Sequence, residues 1–215
     1  MMQIDLLRPV RRHQLTVYAS RTGTRRSLTL FRQWGWRLLV SARGVLRSEG
    51  FPYAIDNGAW TAYSQGTAFD AAAFHRAVDL LGRGAEWIAV PDVVGDSDAT
   101  IEAFDVWAPY LSAYPRMLVL QDKMTPADVD RLDKSHKLHG VFVGGSSEWK
   151  DRTIPMWADY ARSRAIVCHI GRVNTLKRLR ACVEARVDSV DGSGVSRFTE
   201  HAINFRRWCV DLGVS

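Results

Sequence analysis

The chain has 215 residues, of which 47% are apolar, and this is enough to build the core of one domain over residues 1–215. No apolar run approaches the length of a membrane span, and residues 1–15 carry arginines but no apolar stretch typical of a secretion signal. The three cysteines are widely spaced and match neither a disulfide framework nor a zinc pattern. We therefore expect a cytoplasmic protein rather than a membrane protein or a disulfide-stapled secreted one.

The positive charge is unevenly distributed along the chain. The formal net charge is +6, yet residues 1–50 alone hold ten arginines against Asp5 and Glu49. A second basic cluster lies between Arg172 and Arg207. Such uneven charge is typical of a protein that binds a polyanion, and a basic surface that only aids solubility is the alternative.

Short apolar segments alternate with helical patterns along the chain. The predicted strands are four or five residues long: Leu15–Ala19, Arg37–Ser41, Pro52–Ile55, Trp87–Pro91, Arg116–Leu120, Gly140–Val143, Ala165–His169 and Val187–Val190. They do not alternate strictly between apolar and polar residues, as expected for parallel strands that are buried on both faces.

The segments between these strands carry helix signals. Asp70 is a predicted N-cap, Thr125-Pro126 begins another helix, and the remaining predicted helices are Arg25–Trp36, Val173–Ala185 and Thr199–Val210. The connection 42–51 is predicted to be a turn or a single helical loop. Eight strands, each followed by a helix or a loop, predict an α/β protein with a compact (β/α)8 TIM barrel, and an open doubly wound sheet is the alternative.

A barrel would bring the two basic clusters together, because its first and last strands are neighbours. We therefore predict one face that binds the phosphates of a nucleic acid. Its candidate residues are Arg25, Arg26, Arg172, Lys177, Arg178 and Arg197.

Polar residues and glycines stand at the ends of six of the predicted strands. Barrel enzymes carry their chemistry at the carboxyl ends of the strands. Asn57-Gly58 alone would predict a hairpin turn. A polar loop and then a helix follow it, however, so Asp56 is interpreted as a site acid. The candidate site residues are Asp56, Asp92, Gln121, Gly144, Gly145, His169, Gly171 and Asp191. For Asp92 a loop cap, and for His169 a buried structural histidine, are the alternatives.

Two or three carboxylates around one pocket suit displacement at a sugar C1′ atom. One carboxylate forms a covalent glycosyl intermediate and a second acid protonates the departing group. The planar amide of Gln121 and the backbone amides of Gly144 and Gly145 suit the edge of a heterocyclic base. No metal-ligand spacing is present, and no cofactor is expected.

The motifs "IDNGAW", "VPDVVGD", "LVLQD", "GVFVGGSS" and "VDSVDGSG" occur in this order between Pro52 and Phe198. In that order they resemble the motifs of the tRNA-guanine transglycosylases and of the related phage DNA 7-deazaguanine transglycosylases. The resemblance implies a pentosyltransferase in which Asp191 is the nucleophile, Asp188 its companion acid and Asp56 the general acid/base. It also implies base binding by Asp92, Gln121, Gly144 and Gly145, with His169 and Gly171 beside them.

The chain departs from the tRNA enzymes in two respects. It has no zinc-binding subdomain of three cysteines and a histidine, and Asn57 and Ala59 stand within the stretch where the family has Ser-Gly-Gly. The short chain looks more like the phage-type enzymes, which implies DNA as the polymer, tRNA as the alternative and a base such as preQ0 as the second substrate. A carboxylate-dependent glycoside hydrolase using Asp56 and Asp191, and a non-catalytic nucleic-acid-binding barrel, are further alternatives.

Overall fold

Eight short parallel strands close into a barrel. The computed structural model describes residues 14–21, 24–192, 194 and 199–214. The strands, in chain order and in spatial order, are β1 (Thr16–Ser20), β2 (Arg37–Ser41), β3 (Tyr53–Asp56), β4 (Ile88–Ala89), β5 (Arg116–Leu120), β6 (Gly140–Val143), β7 (Val167–Ile170) and β8 (Ser189–Gly192). The predicted (β/α)8 barrel is confirmed, and the open-sheet alternative is wrong.

The pairing of β8 with β1 closes the barrel, and the register of this pair determines how far β8 extends towards the carboxyl end. The sequence predicts that Asp191 directly follows β8. In the structure Asp191 pairs with Tyr18 and therefore lies inside β8. The predicted β7 also begins two residues too early. Ala165 adopts the left-handed conformation (φ +53°) that ends the preceding helix, and the strand therefore starts at Val167.

The described helices are α1 (Arg25–Gln33), α2 (Ala59–Ser64), α3 (Ala71–Leu81), α4 (Ser97–Trp107), α5 (Pro126–His136), α6 (Ser147–Arg164), α7 (Leu176–Ala185) and α8 (Thr199–Asp211). Two predicted helix starts are confirmed by their caps. The Asp70 side chain accepts a hydrogen bond from the Ala73 amide, and Thr125 forms a capping box with Asp128. The connection 42–51 contains turns and no helix, as predicted. None of the described helices is both long enough and apolar enough to cross a membrane.

The segment after β3 differs from both sequence-based interpretations. It is neither a hairpin turn nor a polar loop, because α2 begins at Ala59. Gly58 takes a positive φ of +85° at the start of this helix, and the Asn57 side-chain oxygen accepts a hydrogen bond from the Ala59 amide. The chain therefore turns sharply at the mouth of the barrel, and α2 lies beside the opening.

The barrel interior is filled by side chains from alternate strand positions. Tyr18, Ala54, Trp87 and Met117 pack there, with Leu39, Ala89 and Val119 in the same cluster. The larger core lies between the outer face of the sheet and the helices. The three cysteines are buried and unpaired. Because the large rings of Tyr18 and Trp87 fill the interior nearer the amino ends of the strands, open space remains at the carboxyl end.

Candidate active site

A cavity of about 400 Å³ opens at the carboxyl end of the barrel. Its volume is within the range of small-molecule sites. All eight strands or the loops after them, together with α2 and the residue that follows it, contribute the lining: Ser20, Leu39, Ser41, Asp56, Asn57, Trp60, Thr61, Ser64, Gln65, Ala89, Asp92, Val119, Gln121, Phe142, Gly144, Arg172 and Asp191. The cavity thus brings together five of the eight predicted site residues, namely Asp56, Asp92, Gln121, Gly144 and Asp191.

Asp191 is a buried carboxylate, 5% exposed, on the last strand. Its Oδ1 atom lies 3.1 Å from the backbone nitrogen of Arg172 and 3.1 Å from Nε2 of His169. His169 Nδ1 lies 2.8 Å from the Ser189 hydroxyl oxygen. An ionised carboxylate accepts hydrogen bonds only, so a His169 ring that donates to it carries a proton on Nε2. Two donors therefore hold one oxygen of Asp191.

His169 itself does not line the cavity. Its ring is fully buried in the barrel, with centroids 4.6 Å from the ring of Phe142 and 5.0 Å from that of Trp87. The base-binding position that the resemblance implies is therefore wrong, and the structural alternative is closer to what is observed. From inside the barrel, the His169 ring contacts the Asp191 carboxylate and orients it, and sequence reasoning missed this contact.

Asp56 is half-buried at the end of β3 and is surrounded by negative charge. Burial, followed by the charges of Asp191 and Asp92, raises the pKa of Asp56 to about 7. Hydrogen bonds from the Ser41 side chain and the Gly58 backbone oppose this shift. At neutral pH the carboxyl group of Asp56 is therefore poised between its neutral and ionised forms, as a general acid requires.

Asp92 is held by two side-chain amides. The Asn57 amide nitrogen lies 2.8 Å from Oδ1, and the Gln121 amide nitrogen lies 2.7 Å from Oδ2. Burial raises the pKa of Asp92 to about 6, although these two hydrogen bonds lower it in part. The amides are themselves fixed, because Gln121 Oε1 accepts from the Gly95 backbone and Asn57 also donates to the Val90 carbonyl.

Asn57 is a site residue that sequence reasoning missed. It lines the cavity, is 3% exposed and orients Asp92. The available signal was an amide directly after the site acid Asp56, but it was interpreted only as a departure from the family motif.

The glycine loop after β6 does not offer its amides to a ligand. Both amides, of Gly144 and Gly145, donate to the Leu120 carbonyl at 3.0 Å. Their carbonyls accept from Arg172 at 3.0 and 2.8 Å. The prediction that these amides face the edge of a base is therefore wrong, and of the two residues only Gly144 lines the cavity.

Gly171 has a packing role instead of a place in the cavity lining. A Cβ atom at this position would lie 2.6 Å from the ring of Phe142, so only glycine fits without a shift. Its carbonyl accepts a hydrogen bond from the Lys150 ammonium group at 2.9 Å. The base-binding position implied for Gly171 is not observed.

Lys150 is a second residue that the sequence did not reveal. It is fully buried in the first turns of α6, and its Nζ atom also lies 3.3 Å from the Gly144 carbonyl oxygen. Burial, with the neighbouring charge of Arg172, lowers the pKa of Lys150 to about 7. One side chain thus ties together the loops after β6 and β7, which carry Gly144 and Arg172.

Arg172 belongs to the cavity wall. It has a left-handed backbone conformation (φ +57°), and its guanidinium group lies 3.9 Å from the centroid of the Trp60 ring. The same group donates to the two glycine carbonyls of the β6 loop. Its positive charge therefore lies inside the site, within electrostatic reach of Asp92 and Asp191.

The other predicted phosphate contacts have different outcomes. Arg178 is 9% exposed and is occupied, because it pairs with Asp151 at 2.6 Å and donates to the Arg172 carbonyl. Its predicted phosphate contact is therefore wrong. Arg25 and Arg26 are exposed at the start of α1, and Lys177 is exposed at the start of α7, all at the carboxyl end of the barrel. Arg197 lies outside the described residues.

Asp188 lies at the opposite end of the barrel from the cavity. It precedes β8, and its carboxylate accepts a hydrogen bond from the Cys168 backbone at 2.8 Å. The role of companion acid to Asp191 is therefore wrong.

Within the described ranges, no group of three or more His, Cys, Asp or Glu side chains is arranged to hold a metal ion. No protein-family model matches the chain, and no curated protein matches it significantly.

Proposed function

We propose that the chain is a base-exchange transglycosylase that replaces guanine in DNA with a 7-deazaguanine base such as preQ0. The observation that carries this proposal is the pairing of two unlike carboxyl groups in one cavity. Asp191 is held by two hydrogen-bond donors, whereas Asp56 has its pKa raised to about 7. Two carboxyl groups in such different environments suit the roles of nucleophile and general acid.

The proposed reaction has two displacements at the sugar C1′ atom. In the first, an oxygen of Asp191 bonds to C1′ while the bond from C1′ to the guanine nitrogen breaks, and Asp56 gives its proton to the departing base. In the second, the ring nitrogen of the incoming 7-deazaguanine bonds to C1′, Asp56 takes its proton back and Asp191 leaves as a carboxylate. Protons and bonds balance over the cycle, and the chemistry uses only these two side chains.

Asp92 is proposed to bind the N–H groups along the edge of the guanine-like base. Asn57 and Gln121 hold its carboxylate in the cavity wall, and Phe142 adds an aromatic surface to the same lining. A carboxylate that accepts from the N–H edge distinguishes guanine and its deaza analogues from bases that lack those donors.

The exposed positive charges of Arg25, Arg26 and Lys177 support a polyanionic substrate, since they lie at the same end of the barrel as the cavity. DNA is the proposed polymer, and tRNA is the alternative. The target base has to leave a stacked duplex before C1′ can be attacked, because the reacting atoms lie in a cavity.

The test is incorporation of labelled preQ0, and of labelled guanine, into duplex DNA, single-stranded DNA and tRNA. We expect incorporation into DNA, and Asp191→Asn should reduce it by roughly four orders of magnitude or more. Asp188→Asn is the matched control, because it changes an acid close in sequence that lies at the other end of the barrel, and it should retain exchange. Denaturing mass spectrometry should also detect a covalent adduct between the wild-type protein and DNA.

Three outcomes would change the proposal. Exchange retained by Asp191→Asn would remove the nucleophile, and incorporation into tRNA alone would replace the polymer. Binding of DNA without exchange, unaffected by Asp56→Asn or Asp191→Asn, would favour a non-catalytic binding barrel.

A further inference from the structure

Two aromatic side chains project from α2 at the mouth of the cavity. Trp60 is 44% exposed and Tyr63 is 60% exposed, and their ring centroids lie 5.7 Å apart. The same helix contributes Thr61 and Ser64 to the cavity wall, and Gln65 directly after it also lines the cavity. The aromatic pair, defined as Trp60 and Tyr63, is therefore next to the opening through which a substrate would enter.

Two guanidinium groups lie close to this helix. Arg172 lies 3.9 Å from the centroid of the Trp60 ring. Arg43, in the loop after β2, packs against the start of α2, where a Cβ atom on Gly58 would lie 3.1 Å from its Cγ atom. The exposed Arg43 guanidinium then reaches Thr67, just beyond the helix, at 3.0 Å. Arg172 thus places positive charge against an exposed ring, and Arg43 places it beside the helix that carries both rings.

The aromatic pair does little for the packing of the barrel. The rings of Phe31 and Trp36 show the contrast, because they stack at 5.3 Å inside the core and are at most 3% exposed. Neither Trp60 nor Tyr63 belongs to the core clusters of buried residues or to the partly buried residues packed against them. Large exposed rings clustered at the rim of a cavity mark a binding surface.

Rings interleaved with cations are the pattern by which proteins bind single-stranded nucleic acids. The rings stack on bases and the cations neutralise phosphates. A base inside an intact duplex has both faces covered by its neighbours, so such a surface has nothing to stack on there.

We propose that α2 is a stacking platform for an unpaired nucleotide adjacent to the one whose base enters the cavity, so that the protein binds single-stranded DNA in preference to an intact duplex. This inference rests on the proposed function for the identity of the target nucleotide. It adds which state of the polymer is recognised, and which residues recognise it. Tyr63 makes the outer stacking contact and Arg43 contacts the neighbouring phosphate.

The experiment measures equilibrium binding by fluorescence anisotropy, with no base exchange required. The probes are a labelled single-stranded oligonucleotide with one central guanine, the blunt duplex of the same sequence, and a single strand with abasic sites on both sides of that guanine. Tyr63→Ala should weaken binding of the normal single strand about tenfold, the size of one lost stacking contact. Tyr63→Phe should bind like the wild type, because the ring is kept.

The abasic probe isolates stacking from charge. Wild type should bind it about tenfold more weakly than the normal strand, and Tyr63→Ala should cause no further loss on it. Tyr110→Ala is the matched control. Tyr110 is an exposed tyrosine too, at 40%, but it follows α4 at the amino end of the barrel.

Equal binding of the normal single strand by wild type and Tyr63→Ala would overturn the proposal. So would a wild-type preference for the duplex. A change of oligomeric state in Tyr63→Ala, measured by sedimentation velocity, would show that the pair instead contacts a second copy of the chain. Because binding and exchange are measured separately, a failed platform with intact exchange can be distinguished from a failed exchange with an intact platform.

Discussion

Both ends of the barrel contain carboxyl groups in polar clusters, but the surroundings of those groups differ. At the amino end, Glu86 is paired, since Arg37 and the Tyr18 hydroxyl donate to its two oxygens. The Trp87 indole nitrogen in turn lies 3.0 Å from the Tyr18 oxygen. At the carboxyl end, Asp56, Asp92 and Asp191 line one cavity, and the charges of the other two help to raise the pKa of Asp56.

Under the proposed function, this difference separates an end arranged for stability from an end arranged for chemistry. Pairing at the amino end satisfies the charges. Burial, followed by the charge of Glu86, raises the pKa of Tyr18 to about 12, so the phenol remains a hydrogen-bond donor. At the carboxyl end, burial and then repulsion from Asp191 and Asp92 raise the pKa of Asp56 and keep it partly protonated at neutral pH, which costs folding free energy. Perturbed carboxyl groups gathered in a cleft are typical of functional sites.

The largest expected effect is on catalysis by Asp56. Asp56→Asn should slow guanine release about 10²–10⁴-fold, because the departing base loses its proton donor. In the wild type the rate of release should fall as the pH rises above about 7, where Asp56 loses the proton that it must give. Single-turnover release of guanine from labelled DNA, measured from pH 5 to pH 9, checks both statements.

The matched variant for this prediction is Glu86→Gln, at the amino end. It should retain the rate and the decline above pH 7. If the decline persisted in Asp56→Asn, another group would be the acid.

A smaller effect is expected from a substitution of Lys150, which hydrogen-bonds to the loops after β6 and β7. Lys150→Met should lower the rate of exchange about 10–100-fold. The loops after β6 and β7, which carry Gly144 and Arg172, lose the donor that they share, and a displacement of about 1 Å in a site lowers a rate by this order. The loss should fall mainly on kcat, with KM for the incoming base changed less, since Asp92 lies on a different loop. Steady-state incorporation of labelled base measures both constants.

Arg37→Met is the comparison at the amino end. It also removes a cation that donates to an acceptor, and it should reduce stability with unchanged kcat. A similar fall of kcat in both variants would mean that general destabilisation, and not displacement of the loops after β6 and β7, explains the result.

Much of the barrel could be predicted from the sequence. Apolar runs between helix caps located all eight strands, and each predicted end lies within two residues of the observed end. The polar residues after these runs indicated the carboxyl end of the barrel. Individual cavity residues such as Asp56, Asp92 and Gln121 followed, because the carboxyl ends of parallel strands meet at one edge whatever the register is.

The contacts that orient those residues could not be predicted. The hydrogen bond from His169 to Asp191 depends on the register of two strands, and a two-residue error in β7 and β8 hid it. Whether an arginine is free or occupied depends on a distant partner, as Asp151 shows for Arg178. A lysine in a polar helix is expected to be exposed, and only the packing of the first turn of α6 beneath two loops buries Lys150.

The two ends should also respond oppositely in stability. Asp56→Asn should raise the free energy of unfolding at pH 8 by roughly 1–3 kcal/mol, because it removes a carboxylate that is easier to ionise in the unfolded chain. The pKa of Asp56 is about 7 in the folded protein and its ordinary value is 3.8, so the folded state holds an extra proton between these two pH values. The wild type therefore loses stability as the pH rises from about 4 to about 7, and the advantage of Asp56→Asn should disappear as the pH falls through the same range.

Glu86→Gln should do the reverse at pH 8, with a loss of roughly 1 kcal/mol, because the ion pair with Arg37 is broken. Urea denaturation at pH 5 and pH 8 measures both variants. A loss of stability in Asp56→Asn at pH 8 would contradict the strain assigned to the carboxyl end.

The smallest effect concerns the salt dependence of DNA binding. Lys177 lies at the carboxyl end and Arg83 lies in the turn between α3 and β4, at the amino end, and both are exposed. If phosphates contact only the carboxyl end, Lys177→Gln should reduce the slope of log K against log salt by about one, the value of one lost phosphate contact. Arg83→Gln should leave the slope unchanged, although it removes the same charge from the chain. Equal changes in the two variants would mean that net charge governs binding, and the distinction between the two ends would not extend to the polymer.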